Sequence, residues 1–573
     1  MKNGNILSIY GSHDAAATFI DKTGKLTVLE YERFVKKRYA MLSKLFYITP
    51  HDNLGNPDPN HPEYVPVPAE WARPLGTPDK VRREFISYIK ENIYDKDVKT
   101  IVYNCHAIDP YPYGDSFPYP LDLDVPLIRE FFPNAKLIQA GHHTSHIAGS
   151  FFTSPFSDAT IISIDGGGQE IGGADVTTMW ATAKNGKLTK SKILSHDFGN
   201  AYGHIGFPIS EINPGPDSED QSLVYAGKVM GLCAYGKVRK EWIEPMYRFY
   251  AEPENRNVTG PSGCNLGVAL FGQAFTLNCL KGQDSYDLAA TSQYVFERRF
   301  FELFWDVIVK NDADVILTGG CALNVLLNQK LAERLKSINK KLYIPPDPND
   351  CGLSLGQFTA YTKTKIDLDV YCGFPILDEH TFKKYKNKYN ATKCSVKKLV
   401  DVIKDGKIVG IIQGGSEIGP RALGNRSIIC DPSIENMKDI LNSKVKFREW
   451  YRPFAPVCRY EDMSKYFDNA FESKYMSYAP TVKPEYRDIL PSITHVDGTA
   501  RLQTVRKNDH ALFYDILSEL HTRNEIPVIL NTSFNIKGSP ILTTIEDALH
   551  VLDNTELDYV YYNGYLLDNQ ITY

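Results

Sequence analysis

Three short apolar strands, each running straight into glycine, constrain this chain more than any other feature. Ile6-Leu-Ser-Ile9 ends in Tyr-Gly-Ser, Ala159–Ile164 runs into Asp165-Gly-Gly-Gly168, and Asp314–Thr318 runs into Gly319-Gly-Cys-Ala322. The first is followed by Ala15–Ile20, a turn at Asp21-Lys-Thr-Gly24 and Leu26–Glu30, a β-meander; the second is followed by a returning strand at Met179–Thr182. The third leads into an amphipathic helix through Asn324 and Leu331. Two strand-turn-strand units far apart in one chain imply a duplicated α/β core whose ligands gather at the strand ends. Glycine there lets backbone N–H groups approach an anion, because no Cβ intervenes. Gly166, Gly167, Gly168, Gly319 and Gly320 are therefore candidates to hold a nucleotide's phosphates. Each turn alone reads first as plain structure, and it is the three together that favour phosphate. Gly231–Lys237 has Walker spacing, but Val238 stands where a magnesium-binding hydroxyl is required.

A second signal lies at Ala140-Gly-His-His-Thr-Ser-His-Ile-Ala-Gly-Ser150. On a helix, His142 and His146 fall at i and i+4, so their Cβ atoms come about 5–6 Å apart and both imidazoles can reach one metal. The alternative is a pair of solvated histidines at a helix start. The residue after His142 is His143 rather than Glu, which excludes the zincin type of peptide hydrolysis. Asp350, in a tight loop before an apolar helix, is the candidate third ligand, and two imidazoles with a carboxylate suit iron or zinc.

The 573 residues, 43% apolar, suffice for two or three cores. A net charge of −5, from 64 basic and 69 acidic residues well mixed, argues against nucleic acid as a partner. No apolar run approaches a membrane span and the N-terminus has no signal-peptide pattern, so a cytoplasmic location is expected. The 10 cysteines form no CxxC pair, which argues against zinc ribbons and a secreted disulfide framework. Residues 47–77 and 109–124, rich in Pro, read as loops near the site mouth. Periodicity fades around 373–390, which sets expected domains at 1–375 and 390–573.

The glycine-bounded strands resemble the phosphate and adenosine elements of the actin, hexokinase and Hsp70 superfamily. A more specific resemblance runs along nearly the whole chain. His13-Asp14, His142-His-x-x-His146, Gly227-Lys-Val-Met-Gly-Leu, Thr318-Gly-Gly-x-Ala-Leu-Asn324, Gly419-Pro-Arg-Ala-Leu-Gly-Asn-Arg-Ser427, Arg452-Pro-Phe-Ala-Pro456 and Leu530-Asn-Thr-Ser-Phe-Asn535 resemble the O-carbamoyltransferases of nodulation and antibiotic tailoring. The resemblance implies a duplicated Kae1-like domain followed by a smaller YrdC-like α/β domain. It implies ATP, magnesium for that ATP, iron or zinc at the two-histidine site, and carbamoyl phosphate and a hydroxyl-bearing acceptor as partners. A homodimer is one option for assembly. The implied chemistry is formation of carbamoyl-adenylate in the second domain and carbamoyl transfer to an alcohol in the first. The longer 47–77 stretch and the Asp347-Pro-Asn-Asp350 loop depart from the family pattern and leave the acceptor open.

Activation brings several negative charges together, so fixed cations are needed. If Lys444–Tyr451 is extended, Lys444, Lys446, Arg448 and Arg452 share one face; a solvated edge strand would show the same pattern. By resemblance, Lys446, Arg452, Arg501 and Ser533 hold ATP and the carbamoyl group, with Arg421 and Arg426 nearby and Asn324 beside the nucleotide of the first domain. His13, in a turn after the first strand, is the candidate base for the acceptor hydroxyl, against a capping or core role. A closed passage between domains is expected, since the adenylate hydrolyses in water. Two other readings stand beside this one: a tRNA threonylcarbamoyl transferase-like enzyme, and an ATP-binding regulatory module of the actin superfamily. Hydrogenase-maturation carbamoyltransferases are related, but carry cysteine zinc motifs absent here.

Overall fold

The computed structural model describes residues 3–40, 42, 78–104, 124–194, 196–212, 221–251 and 261–569. The expected loop at 47–77 lies outside them, as does that at 109–124 except for its last residue, Asp124, which opens the helix Asp124–Phe131. Two compact units organise the chain, Met1–Leu323 with Leu342–Leu368, and Asn324–Lys341 with Asp369–Tyr573. The second unit thus begins just before the expected break, and it also takes in the helix Val325–Ser337, which sequence order alone assigns to the first domain. Long-range bonds explain that: Asn328 Nδ2 donates to Ser477 O at 3.0 Å and Gln329 Nε2 to Asn469 O at 2.9 Å.

The first unit is mixed α/β, with two five-stranded sheets. One runs Leu26–Glu30, Ala16–Ile20, Ile6–Tyr10, Thr100–Asn104, Lys136–Gln139; its first two pairings are antiparallel and its last two parallel. The other runs Lys187–Leu194, Asp175–Lys184, Ala159–Gln169, Asp314–Thr318, Leu342–Tyr343 with the same sequence of directions. Counted within each sheet, both orders are third, second, first, fourth, fifth. Every residue of Ile6–Tyr10 is buried, as an apolar strand covered on both faces requires.

Asp165-Gly-Gly-Gly168 is not the turn expected. The strand continues through it to Gln169, with a shift of register between Ile164 and Gly168, because the returning strand Asp175–Lys184 is long enough to pair on both sides of the irregularity. Gly231–Lys237 is the end of a helix followed by a 3₁₀ turn, and Lys237 N donates to Asp287 Oδ1 at 2.7 Å.

The helices His142–Thr153 and Leu353–Thr362 cross through glycine. A Cβ on Gly149 would lie 3.0 Å from Gly356 Cα, and one on Gly356 would overlap the Ser145 carbonyl. Only glycine at this crossing lets the helix that carries the histidines approach the start of the helix that follows Asp350.

The second unit holds an eight-stranded mixed sheet, in the order Thr392–Lys393, Tyr565–Leu567, Tyr559–Tyr562, Val409–Ile412, Arg426–Cys430, Val528–Ser533, Ala455–Arg459, Gln503–Val505. Helix Val396–Lys404 buries Leu399, Val400 and Ile403 against it, and helix Ala511–Thr522 adds Phe513, Ile516, Leu517 and Leu520. That spacing is the apolar stripe of a surface helix, each full side chain contributing about 1.5–3 kcal/mol. Among the described residues no helix is long and apolar enough to cross a membrane.

Candidate functional site

In the first unit, His142, His146, Asp165 and Asp350 present ligand atoms all within 4.8 Å of one another, the one such group among the described residues. His146 Nε2 lies 2.9 Å from Asp165 Oδ2 and 3.4 Å from Asp350 Oδ1; His142 Nε2 lies 3.8 and 3.6 Å from the same two atoms. Both histidines and Asp350 are buried. Two imidazole nitrogens and two carboxylate oxygens converging in a largely buried site are a donor set that fits iron or zinc. Burial alone would raise both carboxyls, but the facing imidazoles outweigh it and hold Asp165 well below, and Asp350 below, the usual carboxylate range. Burial lowers His146 while Asp165 and Asp350 more than reverse it, pushing it up to about 9.

His143 stands apart from the pair. Its Nε2 is 2.9 Å from Val176 O, so that nitrogen carries the proton, and Nδ1 accepts from Ser163 Oγ at 2.8 Å. Burial, then His142 and His146, push it down to about 3, leaving a neutral structural imidazole.

Sequence reasoning named three members of the cluster and missed Asp165, taken only as the first residue of a glycine turn. A carboxylate at the end of an apolar run and before glycines is also what opens a phosphate turn, so no local signal set it apart. The glycines serve this carboxylate. Gly166 N donates to Asp165 Oδ1 at 2.7 Å and Gly320 N to Oδ2 at 2.9 Å, so two of the amides expected to face phosphate bind an internal anion. A Cβ on Gly168 would overlap the His142 ring, and one on Gly319, at φ +84°, would overlap Ile164 O. Gly167 sits within the register shift at φ +149°. Asn324 groups with the second unit, and its Oδ1 accepts from Leu327 N at 3.0 Å as an N-cap.

His13 does reach the cluster: Nε2 lies 3.4 Å from Asp350 Oδ2 and Nδ1 3.2 Å from Asp14 Oδ2, with the ring partly exposed.

In the second unit the run 419–427 is built around an internal carboxylate. Glu417 is fully buried, and its Oε1 accepts from the backbone N–H groups of Leu423, Gly424, Asn425 and Arg426 at 2.5, 3.1, 3.3 and 3.4 Å. Asn531 Nδ2 donates to Ala422 O at 3.1 Å and Gln503 Nε2 to Leu423 O at 3.0 Å, pinning this loop to the sheet. Arg426 departs from the phosphate role expected of it. Its fully buried guanidinium donates to Gln413 O, Asn425 O, Gly414 O and Phe374 O at 2.6, 2.9, 3.0 and 3.5 Å, so it braces the loop from within.

Lys444–Tyr451 is not extended either. Leu441–Val445 forms a π-helical turn with Lys446 at its end, and period-two alternation does not apply. Lys444 pairs at the surface with Glu556. Lys446, buried, donates to Ser533 O, Asn535 O and Asn535 Oδ1 at 2.7, 2.7 and 2.5 Å, and lies 3.3 Å from Ser533 Oγ. Arg501 nevertheless has three other arginines near enough to oppose its charge. Burial first, then Arg421, Arg448 and Arg452, hold Arg501 well below the usual arginine range. Of these four, Arg452 has a carboxylate in reach, Glu449 at 3.4 Å, while Arg448 bonds Asn442 Oδ1 at 2.7 Å and stacks over Phe454.

Residues 76–358 match the model of the carbamoyltransferase N-terminus and residues 400–569 that of the carbamoyltransferase C-terminus. The nodulation protein NolO of Bradyrhizobium diazoefficiens is 30% identical over 73% of this chain and 76% of its own length. NolNO of Sinorhizobium fredii is 29% identical over 76% of this chain and 64% of its own length. A solved full-length HypF in its phosphate- and nucleotide-bound form is 13% identical, with a TM-score of 0.35 over 62% of this chain and 46% of HypF. With both family models matched in order along it, the chain belongs to the carbamoyltransferase family.

Proposed function

We propose that this chain is an ATP-dependent O-carbamoyltransferase that activates the carbamoyl group in its second unit and transfers it in its first, on a Kae1-like, actin-type duplicated scaffold. The observation that carries the reading is that Arg421, Arg448 and Arg452 lie near enough to Arg501 to oppose its charge, while Lys446 is held at the Ser533–Asn535 turn of the same unit. In the activation step an oxygen of carbamate, formed when carbamoyl phosphate loses its phosphoryl group to water, attacks the α-phosphorus of ATP. Pyrophosphate leaves, and carbamoyl-adenylate forms. The guanidiniums offset the triphosphate's charge and that of the departing pyrophosphate. Lys446 holds the Ser533–Asn535 turn, which aims the Ser533 hydroxyl and its neighbouring amides.

In the transfer step the acceptor's hydroxyl oxygen attacks the carbamoyl carbon, AMP departs, and the hydroxyl proton passes to His13. Asp350 and Asp14 orient the His13 ring and stabilise it once protonated. His142, His146, Asp165 and Asp350 would hold iron or zinc, which when bound polarises oxygen as a Lewis acid. The experiment is to supply carbamoyl phosphate and ATP to wild-type protein and to Arg452→Ala, and to follow pyrophosphate. Wild type releases it and the variant does not; equal release by a folded Arg452→Ala protein removes the second unit from activation.

A further inference from the structure

Asp350 divides its two oxygens between different neighbours. Oδ1 faces His146 and His142 at 3.4 and 3.6 Å. Oδ2 accepts a 2.6 Å hydrogen bond from the Tyr10 hydroxyl and has His13 Nε2 at 3.4 Å. The terminal torsion of an aspartate is soft and roughly two-fold, so rotamer preference alone does not decide which oxygen faces which side. A hydrogen bond to one of them does. Tyr10 is 1% exposed and stands at the end of a fully buried strand, which leaves its hydroxyl little freedom.

We propose that Tyr10 is a positioning residue for the metal centre, holding Oδ2 of Asp350 so that Oδ1 alone is presented between the two histidines. This rests on the reading that the cluster binds a metal. Without the tyrosine hydroxyl the carboxylate swings and offers both oxygens, which changes the ligand count and loosens the site. Outer hydrogen bonds of this kind are typically worth about 10–100-fold in metal affinity.

The same strand provides an internal control. Ser8, two residues earlier and on the same face, donates to Gln357 Oε1 at 2.9 Å, and Thr18 on the next strand lies 2.8 Å from Ser354 Oγ. All three bonds tie the first sheet to the segment 350–357, but only the one from Tyr10 reaches a metal ligand. A merely structural role therefore predicts equal effects from Tyr10 and Ser8.

The test titrates Co²⁺ into the full-length wild-type, Tyr10→Phe and Ser8→Ala proteins, cleared of metal beforehand, against a competing chelator, and records the visible cobalt bands. Tyr10→Phe should weaken Co²⁺ binding by about 10–100-fold and alter the bands. Ser8→Ala should match wild type in both. Wild-type affinity and spectrum in Tyr10→Phe, or equal weakening in Ser8→Ala, overturns the assignment of Tyr10 while leaving the metal site itself standing. A wild-type protein that takes up no Co²⁺ overturns the metal reading, and the role of Tyr10 with it.

Discussion

Replacing Arg501 with methionine should make the ligand-free protein more stable and the enzyme inactive. Arg501 is half-buried near three other arginines, and its buried Nε has no hydrogen-bond partner among the described residues. A buried donor left unsatisfied costs about 1–3 kcal/mol, and methionine fills irregular apolar space without a polar atom. The variant should therefore gain about 1–3 kcal/mol, each kcal/mol raising the melting temperature of a unit this size by roughly 2–4 °C. Addition of ATP with magnesium should reverse the ranking, because ligand that binds only the folded protein stabilises it by mass action and the variant has lost a principal contact. Scanning calorimetry with and without ATP measures both effects, and pyrophosphate release measures the third. A ligand-free Arg501→Met protein less stable than wild type by about 1 kcal/mol or more would show Arg501 to be a structural residue, and an unchanged response to ATP would show that the guanidinium cluster is not the nucleotide site.

Asp350→Asn should still release pyrophosphate from ATP and carbamoyl phosphate, while carbamoylation of the acceptor collapses by about 100-fold or more; parallel loss of both would show that the metal centre also serves activation. Gly168→Ala forces a methyl into the His142 ring, so it should cost about 1–3 kcal/mol and strip metal from the purified protein, as metal analysis would reveal. His510, buried and pushed down to about 4, is neutral in the fold: Nδ1 accepts from Phe513 N at 3.1 Å, so Nε2–H faces Asn425 Oδ1 at 3.1 Å. The unfolded imidazole binds its proton near pH 6.5, so this group costs stability as pH falls from about 6.5 to about 4, reaching about 3 kcal/mol below that window. His510→Asn keeps an N-cap acceptor and should flatten the fall in melting temperature over that range; an unchanged slope would mean that His510 does not titrate on unfolding.

What could be read from the chain alone is what local chemistry and short spacing determine. The strands at Ile6–Tyr10, Ala159–Ile164 and Asp314–Thr318 announce themselves by continuous apolar runs that stop at glycine or a polar residue, and His142 with His146 follow from helical period. Asp350 was legible as a carboxylate in a tight loop. Asp165 was not, because nothing local distinguishes a carboxylate that opens a phosphate turn from one aimed at histidines on another element. The same limit applies to arginine. Arg426 and Arg421 lie in one short run with the same side chain, yet Arg426 is closed inside its own loop by four carbonyls while Arg421 joins Arg501. Tyr10, Ser8 and the Gly149–Gly356 crossing owe their meaning to partners some 200 to 350 positions away. Burial and hydrogen-bond direction belong to the packed chain, so whether a cation faces a substrate or a carbonyl, and which oxygen a carboxylate offers, is decided only when distant elements meet.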